Sequence, residues 1–373
     1  MHGIDAAVHL TARGHCEVDE VRLGTPDSRR LLAVAAACAA LVSAELEAQS
    51  GARQDRSPAG AAWRFATSPA LDLWFHGLAL IGFDGFGTAP LYDPGYAARV
   101  RDEKAATRTA VSRLQSDAAR FREAFEQDSA FEVLHFIPLA LPLRDPASLI
   151  RVLRSVARGR LADASADPGV RAVTQALAAA LPEPAQRKAL GDFLDAIEEE
   201  WRTWLRVRLE AGAAEGAARA ARAQEAWNAR VQPELAGWLK AGALDGGMVL
   251  LTATLGSEGR FSEGDPSNPS DNLAVVRDAA EADVIVAVLR EICYPAVRRA
   301  IARAGASFPD RVTATRISDL AATRCGAWLA ARVAADIAVR YEERFRAVAP
   351  DHGGYTLPPS IEAALKEELS RGG

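Results

Sequence analysis

Lysine is almost missing from this chain, standing only at positions 104, 188, 240 and 366, so arginine supplies the rest of the 44 basic residues. These face 49 acidic residues, for a net charge of −5. No basic stripe is long enough to follow a phosphate backbone, which excludes an extended nucleic-acid surface. There are only four cysteines in 373 residues, too few for a small disulfide scaffold and unnecessary in a chain long enough to bury a large core. No apolar run reaches the roughly 20 residues that a membrane-spanning helix needs. The glycine patterns of P-loop and dinucleotide enzymes and the Gly-x-Ser-x-Gly elbow of serine hydrolases are also missing, which argues against those activities. Histidine is scarce, at 2, 9, 15, 76, 135 and 352.

Against these absences stands one strong signal. Arg29 and Arg30 precede the apolar stretch 31–44, which ends with small residues at Val42 and Ala44. Two charges, a short greasy tract and a small-residue cleavage site read as a secretory signal peptide over 29–44. The alternative is a buried Ala-rich helix of a cytosolic protein. Residues 1–28 carry Asp5, Glu17, Asp19 and Glu20, which a signal n-region avoids. They read as a wrongly assigned leader, with the true start downstream, near Val21. Residues 45–62, polar and Gly-rich, read as a flexible N-terminus. The expected location is periplasmic or extracellular, with no stable transmembrane helix after cleavage. Of the cysteines, Cys293 and Cys325 remain in the mature chain, either bridged or packed as free thiols.

The body reads as mainly α, a multi-helix region over 63–246, followed over 247–348 by one small antiparallel β element (about 247–277) with long helices, and then a tail over 349–373. Ser68, Pro69 and Asp72 form a helix start, and the apolar run to Ile81 places that helix, with Trp74, at the centre. Residues 130–137 read as another apolar helix. The Asp-Pro pairs at 145–146 and 167–168 start two more. A long helical stretch follows Pro184, interrupted at Gly212 and carrying four of the seven tryptophans. Their expected role is packing between helices. Residues 248–255 and 272–277 read as strands flanking a polar loop. Asp278 and Glu281 then form a capping box for a helix running to about Arg303. A further long helix is expected from about Pro309 to Arg346.

That strand–loop–strand–helix order carries Arg290, Glu291, Ile292, Cys293 and Tyr294 on its helix. Zincin metallopeptidases place His-Glu-x-x-His on such a helix, where the i,i+4 spacing puts both imidazoles on one face and the Glu activates a metal-bound water. The chain resembles a degenerate gluzincin-like exported protein, with Glu291 in the glutamate position and Arg290 and Tyr294 where the histidines would stand. The resemblance covers about 60–100 residues. It implies a zincin-like C-terminal half without metal, since a guanidinium cannot ligate zinc. The following helix offers Asp319 but no clear acidic third ligand, and Pro295 should kink the motif helix.

Other residues suggest narrower chemistry. Glu132 and His135 form a Glu-x-x-His without the second copy that a di-iron bundle requires. Asp72 and His76 lie one turn apart and could form an acid–base pair. The loop 256–271, with Arg260 and Asp271, has several oxygen ligands and reads as a binding edge or a weak calcium loop. The combined reading is a non-catalytic binding or structural protein of the bacterial envelope, with a protein, peptide or glycan partner and no cofactor. The alternative is an exported hydrolase using Glu291 with His76 or His135. Arg290, Tyr294, Asp72, Glu132, Arg260 and Asp271 are the candidate binding residues.

Overall fold

The structure, a computed structural model, describes residues 9–10, 16–17, 62–84, 90–141, 145–161, 167–264, 272–346 and 356–371. The expected signal peptide, Asp271 and most of the leader and flexible N-terminus lie outside the described residues. Within residues 1–28 only His9–Leu10 and Cys16–Glu17 are described, paired antiparallel.

The chain is mainly helical around one four-stranded sheet. Its strands are β1 (Trp63–Thr67), β2 (Gly247–Thr252), β3 (Arg260–Ser262) and β4 (Leu273–Arg277), in the order β1-β2-β4-β3. The sheet corrects the expected antiparallel element. β1, β2 and β4 run parallel, and only the edge strand β3 pairs antiparallel, with Phe261 opposite Ala274. Two features of the chain explain this. The apolar runs of β2 and β4 lack polar alternation, as expected for strands covered on both faces. The partner β1 is a five-residue segment with only Trp63 and Phe65 to mark it.

Each face of the sheet borders its own apolar core. Leu250, Leu273 and Val275 face the core built from the N-terminal helices. Val249, Leu251, Ala274 and Val276 face the core built from the C-terminal ones. The period of two along each strand thus divides the molecule into two helical layers.

In the N-terminal layer, α1 (Pro69–Ile81) is capped by Ser68, whose Oγ accepts the Leu71 N–H at 3.4 Å. The helix is buried nearly all round, and Trp74 packs edge-on against Phe193 while its Nε1 donates to the Leu134 carbonyl at 2.7 Å. Around it lie α2 (Tyr96–Ala106), α3 (Arg113–Ser116), α4 (Ala118–Glu126), α5 (Ile137–Ala140), α6 (Pro146–Ala157), α7 (Pro168–Ala180) and α8 (Pro184–Glu200). Residues Ser129–Phe136 form a 3₁₀ segment rather than the expected α-helix.

The long helix continues from α8 through α9 (Arg206–Ala226) and α10 (Gln232–Ala241), with π turns at Trp201–Leu205 and Trp227–Val231. Gly212 does not interrupt it. Each π turn opens on a tryptophan and shifts the buried face by one residue. Trp227 is thereby brought against Trp63 and Phe65, at ring separations of 5.9 and 6.0 Å.

The C-terminal layer holds α11 (Glu281–Glu291), α12 (Tyr294–Arg303), α13 (Arg311–Val333), α14 (Ala335–Arg346) and α15 (Pro359–Ser370). The expected helix to Arg303 is two helices. Pro295 has no N–H for the Glu291 carbonyl and its ring crowds that oxygen, so α11 stops at Glu291 and Pro295 sits in the first turn of α12. The expected capping box does not form either, because Asp278 is taken by Arg219, whose Nε and Nη2 both reach it. Ala334, in extended backbone, separates α13 from α14. In the tail, Ile361, Leu365 and Leu369 of α15 are buried, and Arg299 and Arg303 of α12 hold the buried Glu368. Among the described residues no helix is long and apolar enough to cross a membrane.

Candidate functional site

The break between α11 and α12 gathers charge at one buried point. Arg290 is fully buried, yet its Nη1 lies 2.8 Å from Glu291 Oε1 and its Nη2 lies 3.3 Å from Glu258 Oε1 and 3.7 Å from Asp319 Oδ1. Its Nε donates to Thr323 Oγ1 at 3.4 Å. The guanidinium also lies over the rings of Tyr294 and Phe345, at 5.6 and 5.7 Å. The Tyr294 hydroxyl donates to Asp319 Oδ1 at 2.7 Å. Five segments supply this arrangement: the approach to β3, the end of α11, the start of α12, α13, and the end of α14. Cys293 and Cys325 are joined by a disulfide that staples α12 to α13 beside it, so the alternative of two free thiols is set aside.

The edge strand is tied directly to the motif glutamate. The Gly259 N–H donates to Glu291 Oε1 at 3.0 Å. Glu291 Oε2 is buried with no hydrogen-bond partner. A Cβ on Gly259 would lie 2.6 Å from the Val275 carbonyl oxygen and 2.7 Å from Glu291 Cγ, so only glycine lets strand and carboxylate approach this closely. Gly259→Ala should therefore lower stability by about 1–3 kcal/mol through overpacking. An unchanged urea midpoint would refute the tight approach.

Three carboxylates around one guanidinium leave an excess of negative charge. Burial, reinforced by Asp319 and Glu291, pushes Glu258 up to about 7 against the opposing pull of Arg290 and Arg260. Burial also drives Tyr294 well above its ordinary range. Burial works against the charge on Arg290, but Tyr294, Glu291, Glu258 and Asp319 together hold it well above its usual value. The native state therefore keeps a proton on Glu258 that the unfolded chain releases near 4.5. Between those values the native state binds more protons, so stability falls as pH rises. Glu258→Gln removes this dependence. Its unfolding free energy should gain on the parent by about 3 kcal/mol from pH 5 to 8. Parallel pH profiles would show that Glu258 does not carry the proton.

The other predicted residues separate into distinct neighbourhoods. His135 sits in the 3₁₀ segment, stacked on Phe83 with ring centroids 4.7 Å apart, its Nδ1 3.0 Å from the Tyr92 hydroxyl. Its Nε2 is buried without a partner, and burial together with the charge of Arg260 pushes its pKa down to about 3. The charge of Arg260 acts on both His135 and Glu258. Glu132 is buried in the same 3₁₀ segment. Among the described residues no group of three His, Cys, Asp or Glu side chains is arranged to hold a metal ion.

His76 does not approach Glu291 and does not pair with Asp72. Its Nδ1 is 2.7 Å from the Tyr96 hydroxyl and its Nε2 is 3.2 Å from Glu200 Oε1. Lys104 Nζ donates to the other Glu200 oxygen at 2.7 Å, and these hydrogen bonds outweigh burial to hold Glu200 down at about 2. This is an internal charge clasp joining α1, α2 and α8. Asp72 is bonded to Thr252 at the end of β2, and burial pushes it up to about 7.

Sequence reasoning placed Arg290, Glu291 and Tyr294 together but missed Glu258 and read Asp319 as no clear third partner. The available signals were slight: a carboxylate set between Gly256 and Gly259, and an Asp four residues before Thr323 on a helix. No protein-family description, curated protein or solved structure matches this chain.

Proposed function

We propose that the chain is an exported, non-catalytic binding or structural protein of the bacterial envelope, in which an arginine has taken the place of a catalytic metal in a metallopeptidase-like core. The observation that carries this reading is the fully buried Arg290 guanidinium between Glu258, Glu291 and Asp319. A fixed internal cation offsets part of this negative charge, as a bound metal would, but it has no open coordination position and polarises no water. The layout supports the zincin-like part of the proposal. A small sheet with one antiparallel edge strand sends its last strand into the motif helix, and the backbone just before the edge strand touches the motif glutamate. The Cys293–Cys325 bridge supports export, because such bonds persist in oxidising compartments.

Two measurements test the proposal. Purified protein should not hydrolyse a peptide library with or without added zinc. Glu291-dependent cleavage, or stoichiometric zinc on the protein, would overturn it. Residues 1–62 fused to a phosphatase active only outside the cytoplasm should yield active enzyme, and an inactive fusion would refute export.

One observation favours the hydrolase alternative. Glu291 Oε2 and His135 Nε2 are both buried without partners. In that reading His135 works with Glu291, since both nitrogens of His76 are already engaged. Cleavage abolished by His135→Ala as well as by Glu291→Gln would select it.

A further inference from the structure

The last turns of α6 carry an unusual concentration of one side chain. Arg151, Arg154 and Arg158 recur at spacings of three and four, so they share a face of the helix. The helix then ends in a Schellman turn. Gly159, at φ +66°, donates to the Val156 carbonyl, and the Arg160 N–H reaches back to the Ser155 carbonyl at 2.8 Å. That reversal returns Arg160 to the same face. The result is an open cavity of about 300 Å³ lined by Arg151, Arg154, Ser155, Arg158 and Arg160, with no carboxylate in its lining.

The positive charge there is only partly compensated. Arg154 is engaged by Asp195 and Glu198 of α8, each at 2.7 Å. Arg151 donates to the Ser148 hydroxyl. Among the described residues, Arg158 and Arg160 have no side-chain partner. The negative end of the helix dipole favours one cation at this position. It does not account for four, which repel one another at these spacings. A tetrahedral oxyanion would relieve the repulsion, and guanidinium forks match its geometry two bonds at a time.

We propose that this cavity binds a phosphate group, carried free, on a small phosphomonoester or on a lipid headgroup. The cavity is too compact for a nucleic acid, which needs a long basic track.

The test is titration calorimetry at constant ionic strength with inorganic phosphate and glucose 6-phosphate, together with sedimentation with phosphatidic acid or phosphatidylcholine vesicles. The parent protein should bind at least one phosphate-bearing probe with a dissociation constant below about 1 mM. Phosphatidylcholine vesicles, in which the phosphate is masked by choline, should not bind. Arg158→Ala combined with Arg160→Ala should weaken binding by about tenfold or more while leaving the thermal midpoint unchanged, because both side chains are exposed. Arg158→Lys with Arg160→Lys, which keeps the charge but loses the forks, should fall between. Binding of soluble probes alone assigns the site to free phosphates, and binding of phosphatidic acid vesicles alone assigns it to a membrane surface. No binding of any phosphate-bearing probe, or equal affinity in the double alanine variant, would overturn the proposal.

Discussion

Arg290→Ala should destabilise the protein by about 3–5 kcal/mol at pH 7, because it leaves Glu258, Glu291 and Asp319 facing one another without a cation. The deficit has a sign in pH. The stranded carboxylates take up protons more readily in the native variant than in its unfolded chain, so the variant recovers stability as pH falls from 7 to 5. Arg290→Lys should restore only part of the loss, since a single ammonium cannot reach three carboxylates and Thr323 as the fork does. Urea denaturation at pH 5, 6 and 7 checks all three statements. A constant deficit across pH would show that the carboxylates do not share Arg290 as their counter-charge.

Trp74→Ala should cost about 3–5 kcal/mol for a different reason. Trp74 is 1 % exposed at the middle of α1, and its removal opens a cavity against Phe193 and takes the indole donor from the Leu134 carbonyl. That carbonyl lies one residue before His135, so the 3₁₀ segment should loosen with the core. Thermal unfolding measures the first effect, and faster amide exchange over 129–136 measures the second. A melt unchanged from the parent would remove α1 from the centre of the N-terminal layer.

These two residues differ in how they could be read. The importance of Trp74 follows from a local pattern, since Ser68, Pro69 and Asp72 start a helix and nearly every later residue to Ile81 is apolar. Arg290 and Glu291 stood out only through their neighbours in the chain, and the partners of Arg290 lie 32 residues before it and 29 residues after it. No periodicity reports a contact of that span. The same limit hides β1, whose pairing with β2 crosses the whole helical region and makes the sheet mainly parallel rather than antiparallel. Pro295 was legible as a disturbance, while the turn it forces, which sets Tyr294 toward Asp319, was not.

Local chemistry along the chain was therefore enough to establish a mainly helical protein, where most helices begin, which helix lies deepest, and which stretches are too apolar for solvent. Those properties rest on caps, prolines and hydrophobic spacing within a few turns. The tertiary structure alone decided that Glu258, Arg290, Glu291 and Asp319 form one buried ion centre, that His76 and His135 belong to separate neighbourhoods, and that Cys293 meets Cys325. Burial and long-range approach set the charge balance of such a centre, and neither quantity is contained in any short window of residues.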